Sequence, residues 1–321
     1  IAQGTYYENL ILEKEIVLAS HAINDDLESD WLNNENIHET IISGVPEPID
    51  PNKGSCLVIR YGNIAPTITG LTFQDGIGTS MVKNDCIAVD GSVDILRQEL
   101  SGGAILIYKA YPTIMYNRFI DNGNILQANN VNAPYCITGG AISHYDTDDV
   151  EFDEDRNNTS QNTSSTRTVP DEINIQNNYF ENNSSGDGEN FYSHGYEGTI
   201  DVSYSIFDDI DCASNSVNEY VLKSRNDYAE YIQNEISGNC IEGNSFYVSI
   251  EGDNNNQGSE SAPLKTIGHA LSLVRDDENT TTYIYVREGV YSPSTTGEQF
   301  PIVLPDNVHL IGDEMENSIL D

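Results

Sequence analysis

One phrase recurs along this chain of 321 residues and limits what it can fold into. At Ala110–Gly123 it reads AYPTIMYNRFIDNG: a β-prone run, a Phe, then an Asn-Gly corner. Versions stand at Ile64–Gly76 (IAPTITGLTFQDG), Asp171–Ser184 (DEINIQNNYFENNS), Thr199–Asp211 (TIDVSYSIFDDID) and Tyr231–Asn239 (YIQNEISGN). Their anchor residues Phe73, Phe119, Phe180, Phe207 and Ile236 fall at successive intervals of 46, 61, 27 and 29 in the numbering. A strand-and-corner unit cannot bury its apolar face alone, so its copies must stack. Intervals of 27 and 29 fit one turn of a β-solenoid, and 46 and 61 are expected to be two turns each, with loops inserted. A second phrase, GGAI, stands in Ser101–Tyr108 (SGGAILIY) and again, at an interval of 37, in Thr138–Tyr145 (TGGAISHY). Paired Gly lets the backbone turn tightly and approach its neighbours, so each copy is expected to start a coil.

Between these phrases, strand signals alternate with polar loops. Asn9–Leu12, Glu15–Leu18, His38–Gly44 (HETIISG) and Ser55–Tyr61 (SCLVIRY) read as strands, and His21–Asn36 as a loop. Gly76–Glu99 predicts a loop with a further strand pair. Asp146–Val169 is acidic, then Asn/Ser/Thr-rich, and is expected to be a long mobile excursion unable to form a coil. Gly186–Gly195 and Asn215–Asp227 read as further loops. Asn117, Asn122, Asn177, Asn178, Asn182, Asn183, Asn234 and Asn239 are expected at corners, stacked in ladders that satisfy backbone groups.

Composition shifts at Ser245, which predicts a body over 1–245 and a capping helix with the first coils of a second unit over 246–321. Ile267, Ala270, Leu271 and Val274 fall at helical spacing behind Pro263 and Thr266, so one short helix is expected near 265–275. Strands are predicted at Tyr283–Val286, Ile302–Leu304, Val308–Ile311 and Ser318–Leu320. The passage Ile284–Leu320 (EGVY, PIVL, VHLIG, NSIL) parallels the start of the chain (QGTYYENL, EIVLAS, ETIISG). The two are expected to be one structural position in successive units, a period of roughly 280 residues (284 − 1 = 283). Ile1 is not a natural start, and the chain reads as a mature fragment or excised piece.

Lys and Arg total 14 against 52 Asp and Glu, a formal charge of −38. Such a surface repels nucleic acid and anionic membranes and attracts cations. No apolar run reaches the length of a membrane span. Hard cations prefer clustered carboxylates, so Ca²⁺ is the cation expected, with Asp146, Asp148, Asp149, Asp208, Asp209 and Asp211 as candidate ligands. Neither acidic run matches an EF-hand loop, and the six His have no metal-like spacing. The cysteines are Cys56, Cys86, Cys136, Cys212 and Cys240. The odd count argues against a fully paired framework. Cys212 and Cys240 lie one coil apart by the Phe207-to-Ile236 interval and would sit on adjacent rungs, as a disulfide or as a column of buried thiols. Asn-x-Ser/Thr acceptors at Asn157, Asn158, Asn162, Asn182, Asn183 and Asn279 are mostly chance in so Asn- and Ser-rich a chain.

YVSIEGDNNNQGS, APLKTIGHAL, YVREGVYS and PIVLPDNVHLIG follow one another from Tyr247 onward, and with them Phe246–Asp321 resembles the opening of pectate-lyase-like right-handed parallel β-helix proteins of the DUF1565 type. GGAI and PTIMYNRFIDN extend the resemblance over residues 1–245. It implies an all-β fold, a right-handed parallel β-helix with three sheets per coil and a short capping helix. Enzymes on this fold include pectate and alginate lyases and polygalacturonases. Lyases of that kind would need carboxylate-held Ca²⁺ beside an Arg or Lys; Arg60, Lys109 and Arg118 are the candidates, and no acidic cluster joins them in sequence. Hydrolases need paired carboxylates, and here only Asp208-Asp209 and Ser193-His194-Gly195 faintly resemble that pattern. No catalytic residue is assigned. The reading is a non-enzymatic structural or adhesive repeat unit of a long secreted or cell-surface protein. Its expected partners are neighbouring units or identical subunits end to end, and polysaccharide. The alternatives are a polysaccharide lyase, glycoside hydrolase or degenerate relative, or a glycan-binding module using exposed Tyr such as Tyr6, Tyr7, Tyr192 and Tyr196.

Overall fold

The computed structural model describes residues 1–44, 53–62, 64–83, 97–123, 136–148, 150–152, 168–225, 228–275, 280–300, 302–313 and 317–321. The described chain is all-β and built mainly from parallel sheets. A seven-stranded parallel sheet runs Gly4–Tyr7, Thr40–Ser43, Thr72–Gln74, Arg118–Ile120, Tyr179–Glu181, Ile206–Ile210, Ser237–Cys240. A six-stranded parallel sheet runs Leu10–Leu12, Leu57–Arg60, Ile105–Tyr108, Ile142–Tyr145, Phe191–His194, Leu222–Arg225. Two three-stranded sheets take Val17–Ala19, Thr67–Thr69 and Thr113–Met115, then Glu172–Asn174, Thr199–Asp201 and Glu230–Ile232.

Four of the five expected anchors form the centre of the core, while Ile236 is buried but out of register with Phe207, because Ile206 pairs with Ser237. Phe73, Phe119 and Phe180 are direct register partners, and the column Phe73–Phe119–Phe180–Phe207 stacks at centroid distances of 5.5, 5.1 and 5.1 Å. Each stacked pair adds about 0.5–1.5 kcal/mol beyond its buried area. The intervals of 46 and 61 therefore each span one rung, not two turns. The register of the column is kept across both intervals.

Buried Asn residues form two ladders beside the Phe column. The Asn117 Oδ1 accepts the Leu71 N–H (3.1 Å), and its Nδ2 donates to the Ile68 and Met115 carbonyls (3.0 and 2.9 Å). Its backbone N–H donates to the Asn178 Oδ1 at 3.0 Å. Asn122 repeats this with Gly76 and Asn183. Chain reversals leave backbone groups without ladder partners, and Asn supplies both donor and acceptor at each. Asn177 and Asn182 instead adopt left-handed backbone, with φ of 55° and 52°. Asn239 lies within a strand rather than at a corner.

Several loop expectations were wrong. Residues 21–38 contain two 3-10 turns and two short helices, Leu27–Asp30 and Glu35–His38. Phe191–His194 and Leu222–Arg225, inside stretches read as loops, are full members of the six-stranded sheet. The first begins with a disguised third copy of GGAI. Gly188 takes the place of Gly139, and Glu189 that of Gly140. Val150–Phe152, within the stretch expected to be an excursion unable to form a coil, pairs antiparallel with Gly78–Lys83, outside the parallel strand series. Gly78–Lys83 and Arg97–Ser101 form the predicted strand pair, antiparallel to one another. Ile302–Leu304 carries no strand.

The predicted helix spans Ile267–Ser272, with the Thr266 Oγ1 accepting the His269 N–H at 3.2 Å. Its first turn also donates to a distant side chain: Ile267 N–H to Glu298 Oε2 (2.6 Å) and Gly268 N–H to Glu298 Oε1 (2.9 Å). At the other end the Asn218 Nδ2 donates to the carbonyls of Leu271 (2.9 Å) and Val274 (2.6 Å). A helix this short is marginal alone, and these partners satisfy its orphan groups. Beyond it, Ser245–Val248, Thr282–Val286 and Val308–Gly312 form one parallel sheet, and Gly289–Tyr291 pairs with Ser318–Leu320. Their apolar residues make a cluster separate from the Phe core. The Gln299 Nε2 ties the two regions by donating to the Gly123 carbonyl and the Ser184 Oγ, both at 2.8 Å.

Candidate functional site

The described structure gathers acidic groups toward the C-terminal ends of four consecutive strands of the seven-stranded sheet, an acidic edge that runs across the strands. Asp75 and Asp121 follow the strands Thr72–Gln74 and Arg118–Ile120, each with left-handed backbone (φ 57° and 55°). On the next two rungs lie Glu181 and Asn182, then Asp208 and Asp209. The strand Ile206–Ile210 is bulged: its register with Ser237–Cys240 shifts between Ile206 and Asp209, while Phe207 and Ile210 are both buried. A bulge places two residues against one, so Asp208 and Asp209 face outward together. The Asn182 N–H donates to the Asp208 Oδ2 at 2.8 Å, and Ser43 Oγ donates to the Asp75 Oδ2 at 3.3 Å.

Crowding of like charge perturbs this edge. Burial pushes the Asp208 carboxyl up to about 7, and Asp209, Glu181 and Asp121 reinforce the shift. Asp121 is raised by burial and then by Asp75. Inside the body, burial raises Glu189 well above the carboxylate range, with Asp208 and Asp209 adding to it. Chemically the edge attracts protons and cations near neutral pH.

The other candidates are dispersed. The Asp146 carboxylate accepts the Tyr111 hydroxyl at 3.1 Å, and Asp148 pairs with Lys109. Asp211 closes a turn by accepting the Ala213 N–H at 2.9 Å. Asp149 lies outside the described residues. Among the described residues, no group of three or more His, Cys, Asp or Glu has an arrangement that could hold a metal ion. Arg60 pairs with Glu13 at 2.9 Å. The Arg118 Nη1 donates to the His38 Nδ1 at 3.0 Å, and its guanidinium lies over the Tyr179 ring. Tyr192 and Tyr196, expected on the surface, are fully buried, while Tyr7 is exposed. Of the glycosylation acceptors, Asn183 is buried in the ladder, and Asn157, Asn158, Asn162 and Asn279 lie outside the described residues.

Sequence reading missed the buried polar groups. Glu298 is fully buried and pushed up to about 7 by that burial, against the pull of the backbone N–H groups it accepts. His144 is buried among the Tyr111 and Tyr196 rings and is held at about 4. Single Glu and His residues carry no local pattern, so only the assembled rungs reveal them. Cys212 and Cys240 form a disulfide, settling the choice between bridge and thiol column. Cys56 is a buried free thiol pushed up to about 12 by burial, and Cys86 lies outside the described residues.

Residues 250–319 match a family model described as a protein of unknown function, DUF1565. No curated protein and no solved structure matches the chain.

Proposed function

We propose that the chain is a structural or adhesive repeat unit of a long secreted or cell-surface protein, built as a right-handed parallel β-helix with three sheets per coil. The observation that carries this reading is the use of polar chemistry inside the body. The Asn columns and the buried Ser and Thr hydroxyls bond mostly to backbone and to each other across successive rungs. That is the economy of a scaffold rather than of a reaction site. The chain passes from the seven-stranded to the six-stranded to a three-stranded sheet and back, which supports the coil. The Cys212–Cys240 disulfide supports an oxidising compartment. Exposed edge residues at opposite ends of the strand series, Tyr7, Ile11 and Val17 against Ile311, Ile319 and Leu320, favour end-to-end joining. In this reading the acidic edge keeps the unit soluble and collects Ca²⁺ as a counterion.

A second reading, glycan binding, is favoured by ring stacks on one sheet face: Tyr247 on Tyr285 (5.0 Å) and Tyr283 on His309 (5.4 Å). Sedimentation and electron microscopy of the purified chain, with a polysaccharide panel assayed with and without Ca²⁺, test both. Linear assemblies without turnover are expected. Cleavage of any polymer at enzymatic rates overturns the structural reading, and saturable binding that Tyr283→Ala and Tyr285→Ala abolish favours the second.

A further inference from the structure

The two ends of the described chain repeat one local structure. Gly4 and Gly289 each open a strand with φ near the same value, 150° and 149°, a backbone that favours glycine. Two residues on, Tyr6 donates its hydroxyl to the Ala2 carbonyl (2.9 Å), and Tyr291 donates to the Arg287 carbonyl (3.0 Å). Both bonds reach back four residues. The Gly4 N–H donates to the Glu39 carbonyl (2.6 Å) and the Gly289 N–H to the Asn317 carbonyl (2.7 Å). The parallel registers coincide as well: Gly4 with Thr40 and Tyr6 with Ile42, Gly289 with Ser318 and Tyr291 with Leu320.

The surroundings differ on one side only. Tyr291 is fully buried and its hydroxyl also reaches the Val248 carbonyl at 3.2 Å, whereas Tyr6 is half-buried. A Cβ on Gly289 would meet Ile250 at 2.5 Å, while one on Gly4 would meet only the ring of Tyr6 at 3.7 Å. Val308–Gly312, the strand before the closing pair in the tail, is covered by Thr282–Val286. Its counterpart by chain order, Val17–Ala19, is paired in the described structure only with Thr67–Thr69, and Val17 is 58% exposed. Everything Tyr6 and Val17–Ala19 lack is supplied at the other end by residues 245–286.

We infer that the edge made by Gly4–Tyr7 and Val17–Ala19 is a docking surface for a segment built like residues 245–286, carried by a preceding unit of the same fold joined in tandem. Ile1 stands before Ala2 as Val286 stands before Arg287, so the segment runs into Ile1 in that register, and its carbonyl at the place of Val248 accepts the Tyr6 hydroxyl. This deepens the repeat-unit reading and rests on it. A separate molecule cannot supply the segment without releasing its own residues 287–321.

The test is a fusion of residues 1–286 directly to residues 2–321, compared with the single chain and with a fusion of two full chains. Hydrogen–deuterium exchange of a peptide covering residues 2–20 is the readout. In the first fusion this peptide should show two isotopic populations, one exchanging about tenfold slower than in the single chain. The full-length fusion should show one population at the single-chain rate. A single fast population in the 286-to-2 fusion overturns the inference, as does misfolding of that fusion while the full-length fusion folds. A slow population in the fusion with a strictly monomeric single chain retains the docking surface and overturns only end-to-end fibres of separate molecules.

Discussion

Asn117 and Phe119 share one rung and do different work. Removing the Asn117 side chain leaves the Leu71 N–H and the Ile68 and Met115 carbonyls short of partners in a dry interior. Each such loss costs about 1–3 kcal/mol, so Asn117→Ala should lower unfolding stability by about 3 kcal/mol or more in denaturant titrations. Phe119→Ala should cost about 3–5 kcal/mol by opening a cavity between Phe73 and Phe180. Asp208 makes a pH prediction. Its folded pKa of about 7 lies above the ordinary 3.8, so its contribution is fully present below pH 4 and is lost as pH rises through 7. The Tm of Asp208→Asn minus that of the parent should therefore rise between pH 5 and pH 8. The comparison with the parent matters because His144 and His269, held at about 4, titrate in the opposite sense. Phe, Asn and GGAI were legible in the sequence because they repeat. Glu189 was not, because it stands where a glycine stands one rung earlier.

The short helix Ile267–Ser272 depends on side chains far from it in sequence. Glu298 holds its first turn and Asn218 its last, at separations of 31 and 53 residues from Ile267 and Leu271. Asn218→Ala should release the helix C-terminus, seen as faster amide exchange over residues 267–274 with the Phe core unchanged. The disulfide acts on another element. Closing Cys212 to Cys240 removes a loop of 28 residues from the unfolded ensemble, which the chain-entropy model values at about 3.5 kcal/mol. Reduction, or Cys240→Ser, should lower stability by up to that amount, measured by melting with and without reductant. Apolar spacing identified the helix itself, because Ile267, Ala270 and Leu271 all face the core. Strands three or four residues long were harder to place. Phe191–His194 carries two polar residues inward or sideways and reads as a loop until its neighbours are known.

At the scale of the molecule, a charge of −38 opposes compactness, and salt screens it over about 10 Å at 0.1 M. Melting temperature should climb with NaCl, and CaCl2 at matched ionic strength should add a further increment if the acidic edge gathers Ca²⁺. Overlapping curves would reduce that edge to diffuse screening. The sequence showed a stacked β architecture but miscounted its rungs, since residue spacing measures contour length while the Phe column measures neighbours. That difference has a mechanical consequence. Rungs that look alike in cross-section store unequal lengths of chain, because the numbering advances by 46, 61 and 27 between the paired Phe anchors and by 31 from Ile206 to its partner Ser237. Pulled from its ends, the body would yield like a ratchet with uneven teeth. At about 3.5 Å per residue, the peel of each rung would extend the trace by a step set by its inserts. The stretch locked between Cys212 and Cys240 would release its slack only after reduction.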